Sequence, residues 1–309
     1  LVVDGNGGEP MLAEVLIKDG KIDAVISANE AVAGKSIEMI GVETIDATGC
    51  IVTPGFVDPH THYDGQATWD DRLAPSADHG VTTVVMGNCG VGFAPVRPDE
   101  RDFLIELMEG VEDIPGSALA DGIDWAWESF PEYLDALDNK ARALDVVAQI
   151  PHGALRTYVL GQAINLNAPA TAEQIQQMAA LTQQAIEAGA FAFSTNRIAM
   201  HTSTDGESVP GTLAEKEEVL AIIKAMQDGG ANLLQVVPEG LMGENPTAFQ
   251  AEVQLYKELS LETGCSIVFT LSQNNVQTPL WKDMLKEISQ ANKAGAKLYA
   301  TTGNRPGGM

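Results

Sequence analysis

The stretch PGFVDPHTH, residues 54–62, decides how this chain is read. Phe56 and Val57 form a short apolar run behind the breaker Pro54-Gly55, and His60-Thr61-His62 follows at its end. In an extended segment residues i and i+2 point to the same side, so both imidazoles can address one point in space. Asp58 and Asp64 flank the pair and are candidates to orient the imidazoles or to hold a water molecule. Residues upstream and downstream of this stretch obey different patterns. Before it, residues 13–26 carry two apolar-rich runs around the turn signal Asp19-Gly20, and residues 43–52 read as a further strand.

After it, strand and helix patterns alternate. Candidate strands cover residues 56–59, 81–87, 145–150, 190–193, 232–237, 266–271 and 297–300. Between the later ones lie helical periods opened by capping-box pairs at Thr171/Gln174, Thr212/Glu215 and Thr247/Gln250, with a further helix from Pro279. Gly189, Gly230, Gly264 and Gly295 close these helices where a left-handed residue is wanted. Seven strand–helix units of this kind predict a (β/α)8 barrel incomplete at its C-terminal side, or an open doubly wound sheet. The domains expected are a small β unit over residues 1–53 and a barrel over 54–309, with an insertion at about 97–144. Trp125, Trp127 and Phe130 in that insertion read as packing residues.

Composition narrows the class. Of 309 residues, 43 are acidic and 18 basic, for a net charge of -25, and 45% are hydrophobic. That balance describes a globular protein and argues against a nucleic-acid or anionic-membrane partner, since polyanions are repelled. A small-molecule substrate is the partner expected, and the oligomeric state is left open. Three scattered cysteines form no disulfide framework and favour a reducing, cytoplasmic setting. Leu1 is not an initiator methionine and residues 305–309 close no element, so the chain is expected to be a piece of a longer one. The acidic pairs Asp99-Glu100 and Glu112-Asp113, and the run 215–218, read as solvated faces.

Cys89, in Met86-Gly87-Asn88-Cys89-Gly90, follows the second candidate strand. It admits four readings: a buried structural thiol, part of a phosphate loop, a nucleophile, or a metal ligand beside the two histidines. The phosphate loop is disfavoured because prolines, not a helix, follow, and no His–Asn or His–Asp pair is placed to activate a nucleophile.

Taken together, residues 54–62 and the stretch GVTTVVMGNCG (residues 80–90) resemble the amidohydrolase superfamily, in its N-acyl-D-amino-acid deacylase (D-aminoacylase-like) branch. The resemblance implies an amidohydrolase-type barrel and a flanking β-sandwich, of which residues 1–53 are part. It also implies one or two divalent ions, zinc foremost, held by His60, His62 and Cys89, and metal-dependent hydrolysis of the amide bond of an N-acyl-D-amino acid. The family's general base is an aspartate of the eighth strand, which this chain does not include, so the role is unassigned. Ser194-Thr195-Asn196 supplies no lysine after the fourth strand, which speaks against a cyclic-amide hydrolase of the hydantoinase or dihydropyrimidinase type.

The sequence departs from the family after strands five and six. Gln235 to Glu239 and Thr270 to Asn274 contain no histidine, which raises a non-catalytic binding barrel as the alternative. Gln235, Glu239, Ser272 and Gln273 are candidates to offer oxygen ligands or substrate hydrogen bonds, and Ser194 is a further candidate on the substrate side. His152 and Arg156 lie in a His-Gly-x-Leu-Arg segment resembling one on the family's active-site face, and are expected to contact substrate or support the ligands. Arg197 and Arg305 are candidates to bind a substrate carboxylate. His201, in the loop after strand four, is expected at the surface, and His79 is expected to cap the helix before strand two.

Overall fold

The N-terminal hairpin forms where Asp19-Gly20 places two left-handed residues between apolar runs. In the computed structural model, β1 (Ala13–Lys18) and β2 (Lys21–Ser27) pair antiparallel with φ of 52° at Asp19 and 72° at Gly20, and α1 (Ala28–Val32) follows. The structure describes residues 1–32, 43–161, 165–273 and 279–303. Arg305 and Asn274 lie outside the described residues. Residues 43–52 do not form the strand expected of them. Asp46 accepts the Thr48 amide, Cys50 bonds back to Ala47, and Gly49 takes φ 80°, so the segment turns, and only Val52 bridges to Val2. The chain divides into two compact units, Leu1–Phe56 and Val57–Met309.

In the second unit, the described residues form a seven-stranded sheet in simple chain order: β3 (Phe56–Asp58), β4 (Val81–Met86), β5 (Asp145–Pro151), β6 (Ala192–Asn196), β7 (Leu233–Val237), β8 (Ser266–Thr270) and β9 (Lys297–Thr301). From β4 onward every neighbouring pair is parallel. Parallel neighbours need crossovers, and the chain supplies α5 (His152–Leu160) and α6 (Ala172–Glu187), α7 (Lys216–Asp228), α8 (Pro246–Thr263) and α9 (Leu280–Lys293). The insertion between β4 and β5 holds α2 (Arg101–Glu112), α3 (Gly116–Gly122) and α4 (Phe130–Asp138).

All five residues of β6 are buried, the pattern of a strand covered on both faces. Helix side chains Met178, Ile222, Met226, Val253, Tyr256 and Met284 pack with strand residues Phe193, Leu234, Ile267 and Phe269 in one hydrophobic core. Trp127 and Phe130 are buried, and Trp127 donates to the Phe93 carbonyl at 2.7 Å, so the aromatic residues of the insertion fasten it to the sheet side.

Two of the helix starts differ from their sequence reading. α6 is capped by Thr171 as expected, with Gln174 bonding back. α7 begins after Glu215, not Thr212, because the Thr212 hydroxyl accepts from Asn196 Nδ2 at 2.7 Å. α8 is capped by Asn245 with Pro246 in the first turn, two residues before Thr247. The acidic runs are not uniformly solvated either. Glu100 and Glu218 are buried, the first beside Arg97 and the second against Arg156 and His152.

Candidate metal centre

Thr61 anchors the histidine pair. Its amide and its hydroxyl both donate to the Val85 carbonyl of β4, at 3.0 and 2.8 Å, which leaves His60 and His62 to project from the flanking positions. Asp58 accepts the His60 amide at 3.2 Å. The turn after β4 then brings the thiol to them. Gly87, Cys89 and Gly90 all take positive φ (82°, 57° and 69°), folding the chain sharply enough to aim Sγ at the imidazoles. His60 Nε2 lies 3.2 Å and His62 Nε2 3.5 Å from Cys89 Sγ, and donor atoms of the three residues sit within 4.8 Å of one another.

The turn is held from several sides. Asn88 bonds to the carbonyls of Thr61 and Val85 and accepts from Gln149 at 2.9 Å. Ser194, in the middle of β6, accepts the Gly90 amide at 3.2 Å and donates to the Gly87 carbonyl. Gln235, in β7, accepts the Cys89 amide at 3.3 Å. The loop after β4 therefore lies against the inner side chains of β6 and β7, as in a sheet that curls about an axis. Both side chains carried in sequence as substrate contacts thus bind the Cys89 turn itself.

Sequence reasoning missed Glu112. Paired with Asp113 it reads in sequence as a solvated face, but it ends α2 with its Oε1 3.2 Å from His62 Nε2 and within hydrogen-bonding reach of the Cys89 thiol. His201, expected at the surface, also turns inward: it is half-buried, close enough to His62 to depress its protonation and to His60 to have its own depressed, and its Nδ1 is buried without a hydrogen-bond partner. No local signal marks either residue, because each reaches the site on a loop or helix end whose position is tertiary.

Burial dominates the electrostatics. It lowers His60 despite Asp58, pushes His62 well below the ordinary imidazole range with help from His60 and His201, and brings His201 to about 4. The same burial raises the Cys89 thiol, aided by Glu112 and Asp64, and takes Glu112 to about 7 and Asp64 to about 8. Neutral imidazoles have free lone pairs, and a buried thiol and carboxylates that resist ionising are groups a cation would stabilise in the charged form. His201 Nδ1 and Asp64 Oδ2 are buried without partners, unusual for polar atoms and consistent with a place built around an ion. The residues present fit a divalent metal.

His152 and Arg156 form a separate buried network. His152 is fully buried, with Nδ1 2.8 Å from Thr195 Oγ1 and Nε2 2.8 Å from Glu218 Oε1. Arg156 reaches both Glu218 oxygens and the carbonyls of Leu166 and Ala168. Arg197 is engaged by Glu252 at 2.8 and 2.7 Å, and Glu239 accepts the Ala199 amide.

A largely parallel α/β sheet with a His-x-His pair after its first strand and a cysteine after its second has the arrangement of an amidohydrolase-type barrel. The chain belongs to the amidohydrolase family, whose model matches residues 43–305. It is 28% identical over 229 residues to a D-aminoacylase of Alcaligenes xylosoxydans xylosoxydans, covering 74% of this chain and 41% of that protein. With an N-acyl-D-glutamate deacylase of the same organism it shares 27% over 298 residues, covering 96% of this chain and 53% of the relative. The chain thus spans about half the length, or less, of these relatives. A solved D-aminoacylase structure, described for its binuclear metal centre, superposes with a TM-score of 0.75 at 25% identity, covering 97% of this chain and 56% of that one.

Proposed function

We propose that this chain carries the metal-holding part of a zinc-dependent hydrolase that deacylates N-acyl-D-amino acids. The observation that carries the reading is the convergence of His60, His62 and Cys89, with donor atoms within 4.8 Å. Two imidazoles and a thiol suit zinc above magnesium or calcium, which prefer oxygen. The relatives named for D-amino-acid deacylation supply the substrate class. On this reading, the seven strands are the first seven of an amidohydrolase barrel, and residues 1–53 belong to a flanking β-sandwich.

A bound zinc ion would supply Lewis acidity to the amide carbonyl and to a water molecule. The chain's own residues prepare for it: burial keeps His60 and His62 neutral, while Asn88, Ser194 and Gln235 fix the turn that presents the thiol. Asp64, buried and near enough to raise the Cys89 thiol, is the carboxyl assigned on this reading to orient a water molecule. His152 holds Thr195, the β6 neighbour of Ser194. A partner of low molecular weight, not a polyanion, fits the charge of -25.

A second reading has a specific observation behind it. The segment Gln235 to Glu239, where the resemblance implies a strand-five histidine, holds none, and its Gln235 is bonded to the Cys89 amide, which favours a barrel that binds a ligand without turning it over.

Metal analysis by plasma mass spectrometry on the purified chain and on Cys89→Ala tests the proposal. Near-stoichiometric zinc that falls sharply in the variant is the expected result. Folded protein free of metal in both samples would end the metallohydrolase reading. Hydrolysis of N-acetyl-D-amino acids by the zinc-loaded chain separates the deacylase from the binding barrel.

A further inference from the structure

We propose that Glu112, delivered by the insertion between β4 and β5, is a fourth protein ligand of this metal centre, standing in for the histidines missing after β7 and β8. The assignment rests on the metal reading above and goes beyond its three-residue set.

The geometry around His62 is the first ground. Its Nε2 lies 3.5 Å from Cys89 Sγ and 3.2 Å from Glu112 Oε1. With bonds of about 2.0–2.2 Å to nitrogen and oxygen and about 2.3 Å to sulfur, the edges of a tetrahedral zinc site are about 3.3–3.7 Å long. Glu112 Oε1 therefore already stands about one ligand edge from His62 Nε2, and binding the same ion requires it to close on the donor set that His60, His62 and Cys89 form.

The second ground is how α2 is held. A Cβ added at Gly110 would meet the Thr202 carbonyl oxygen at 2.4 Å and the Ser203 carbonyl carbon at 2.5 Å, so the last turn of α2 lies directly on the 201–204 loop. Asp113 then takes φ 56° and ends the helix immediately after Glu112. This close backbone approach fixes where the carboxylate points, which an exposed helix end would not. It also places His201 on the same side, and His201 is the competitor for the fourth position, with its buried and unpartnered Nδ1.

The test compares zinc affinity, by chelator competition, and the visible spectrum of the cobalt-substituted chain between the parent protein and E112Q, with circular dichroism as the control for folding. A ligand's loss is expected to weaken zinc more than about 100-fold, beyond the 10- to 100-fold range of losing an outer hydrogen-bond partner, and to shift the cobalt ligand-field bands. Affinity within about threefold of the parent, with an unchanged cobalt spectrum, overturns the assignment and leaves the metal reading standing. A parent chain that retains no zinc overturns both. Should E112Q not fold, Glu112→Asp is put through the same two measurements: weakened zinc with shifted cobalt bands agrees, and parent-like values overturn the assignment.

Discussion

The backbone amide of Cys89 donates to the side-chain oxygen of Gln235, 3.3 Å away, so a residue of the fifth barrel strand holds the turn that follows the second. Cys89 has φ 57°, a conformation an L-residue adopts at a cost of roughly 1–2 kcal/mol. Gln235→Ala removes the acceptor from a buried N–H and is expected to destabilise the fold by about 1–3 kcal/mol and to weaken metal retention. Urea melts and metal analysis of one preparation check both. Unchanged stability with unchanged metal would show that Ser194 and Asn88 hold the turn alone.

Gly87 and Gly206 separate two effects of a side chain. Both have positive φ, 82° and 83°, but a Cβ at Gly87 would lie 2.3 Å from the Gln149 carbonyl oxygen, whereas Gly206 has nothing within 4 Å. Gly206→Ala should cost only about 1 kcal/mol, the backbone penalty. Gly87→Ala adds an overlap with fixed backbone and should cost well over about 3 kcal/mol or prevent folding. Equal melting temperatures for the two variants would contradict this.

Glu218 gives the fold an acid limit. Burial alone would raise its carboxyl, but the hydrogen bonds and charges of His152 and Arg156 outweigh that and hold it at about 2, below the ordinary 4.5. A depressed folded value means the stabilisation is complete above pH 4.5 and is lost as pH falls toward about 2. Denaturant midpoints between pH 6 and pH 2.5 should fall in the parent, by an amount worth up to about 3 kcal/mol, and fall less in Glu218→Gln. A variant with the same acid slope as the parent would remove Glu218 as the source.

The same variant carries a second expectation at neutral pH. Arg156 is buried, and its charge is met by Glu218. Glu218→Gln leaves that guanidinium without a counter-charge and should cost about 3–5 kcal/mol. Arg156→Met combined with Glu218→Gln should recover part of it, measured by the same melts. No recovery would mean that the bonds of Arg156 to Leu166 and Ala168 carry the stabilisation.

Gly110→Ala tests the seating of α2. Its Cβ would force the helix end off the Thr202–Ser203 backbone and shift Glu112 from His62, lowering zinc affinity by about tenfold or more while the sheet remains intact. Unaltered affinity in the folded variant would show that the helix end does not position the site.

The His60–His62 pair was legible because its signal is local, a period of two along an extended segment, whereas Cys89 was singled out as a ligand only by the resemblance of residues 54–62 and 80–90 to the amidohydrolase superfamily. The order of strands and helices was legible from local signals too, as was the Thr171 cap. Thr212 and Thr247 carried the same capping signal and do not cap. Asn196, from another strand, takes the Thr212 hydroxyl, and Asn245 with Pro246 starts α8 earlier. A local signal fails where a distant partner or a stronger neighbouring cap competes for the same group.

The amino-acid sequence by itself determined that parallel strands alternate with helices and that two imidazoles and a thiol stand at adjacent strand ends, since each follows from periodicity, turn chemistry and short-range spacing. Only the tertiary structure decided that Gln235 and Ser194 clasp the Cys89 turn, that His152 is sealed against Glu218, and that Glu112 and His201 reach the histidines. The reason is physical. Those contacts join residues far apart in the chain, through the curl of the sheet and the close approach of α2 to a loop, and no periodicity of sequence encodes where two such surfaces meet.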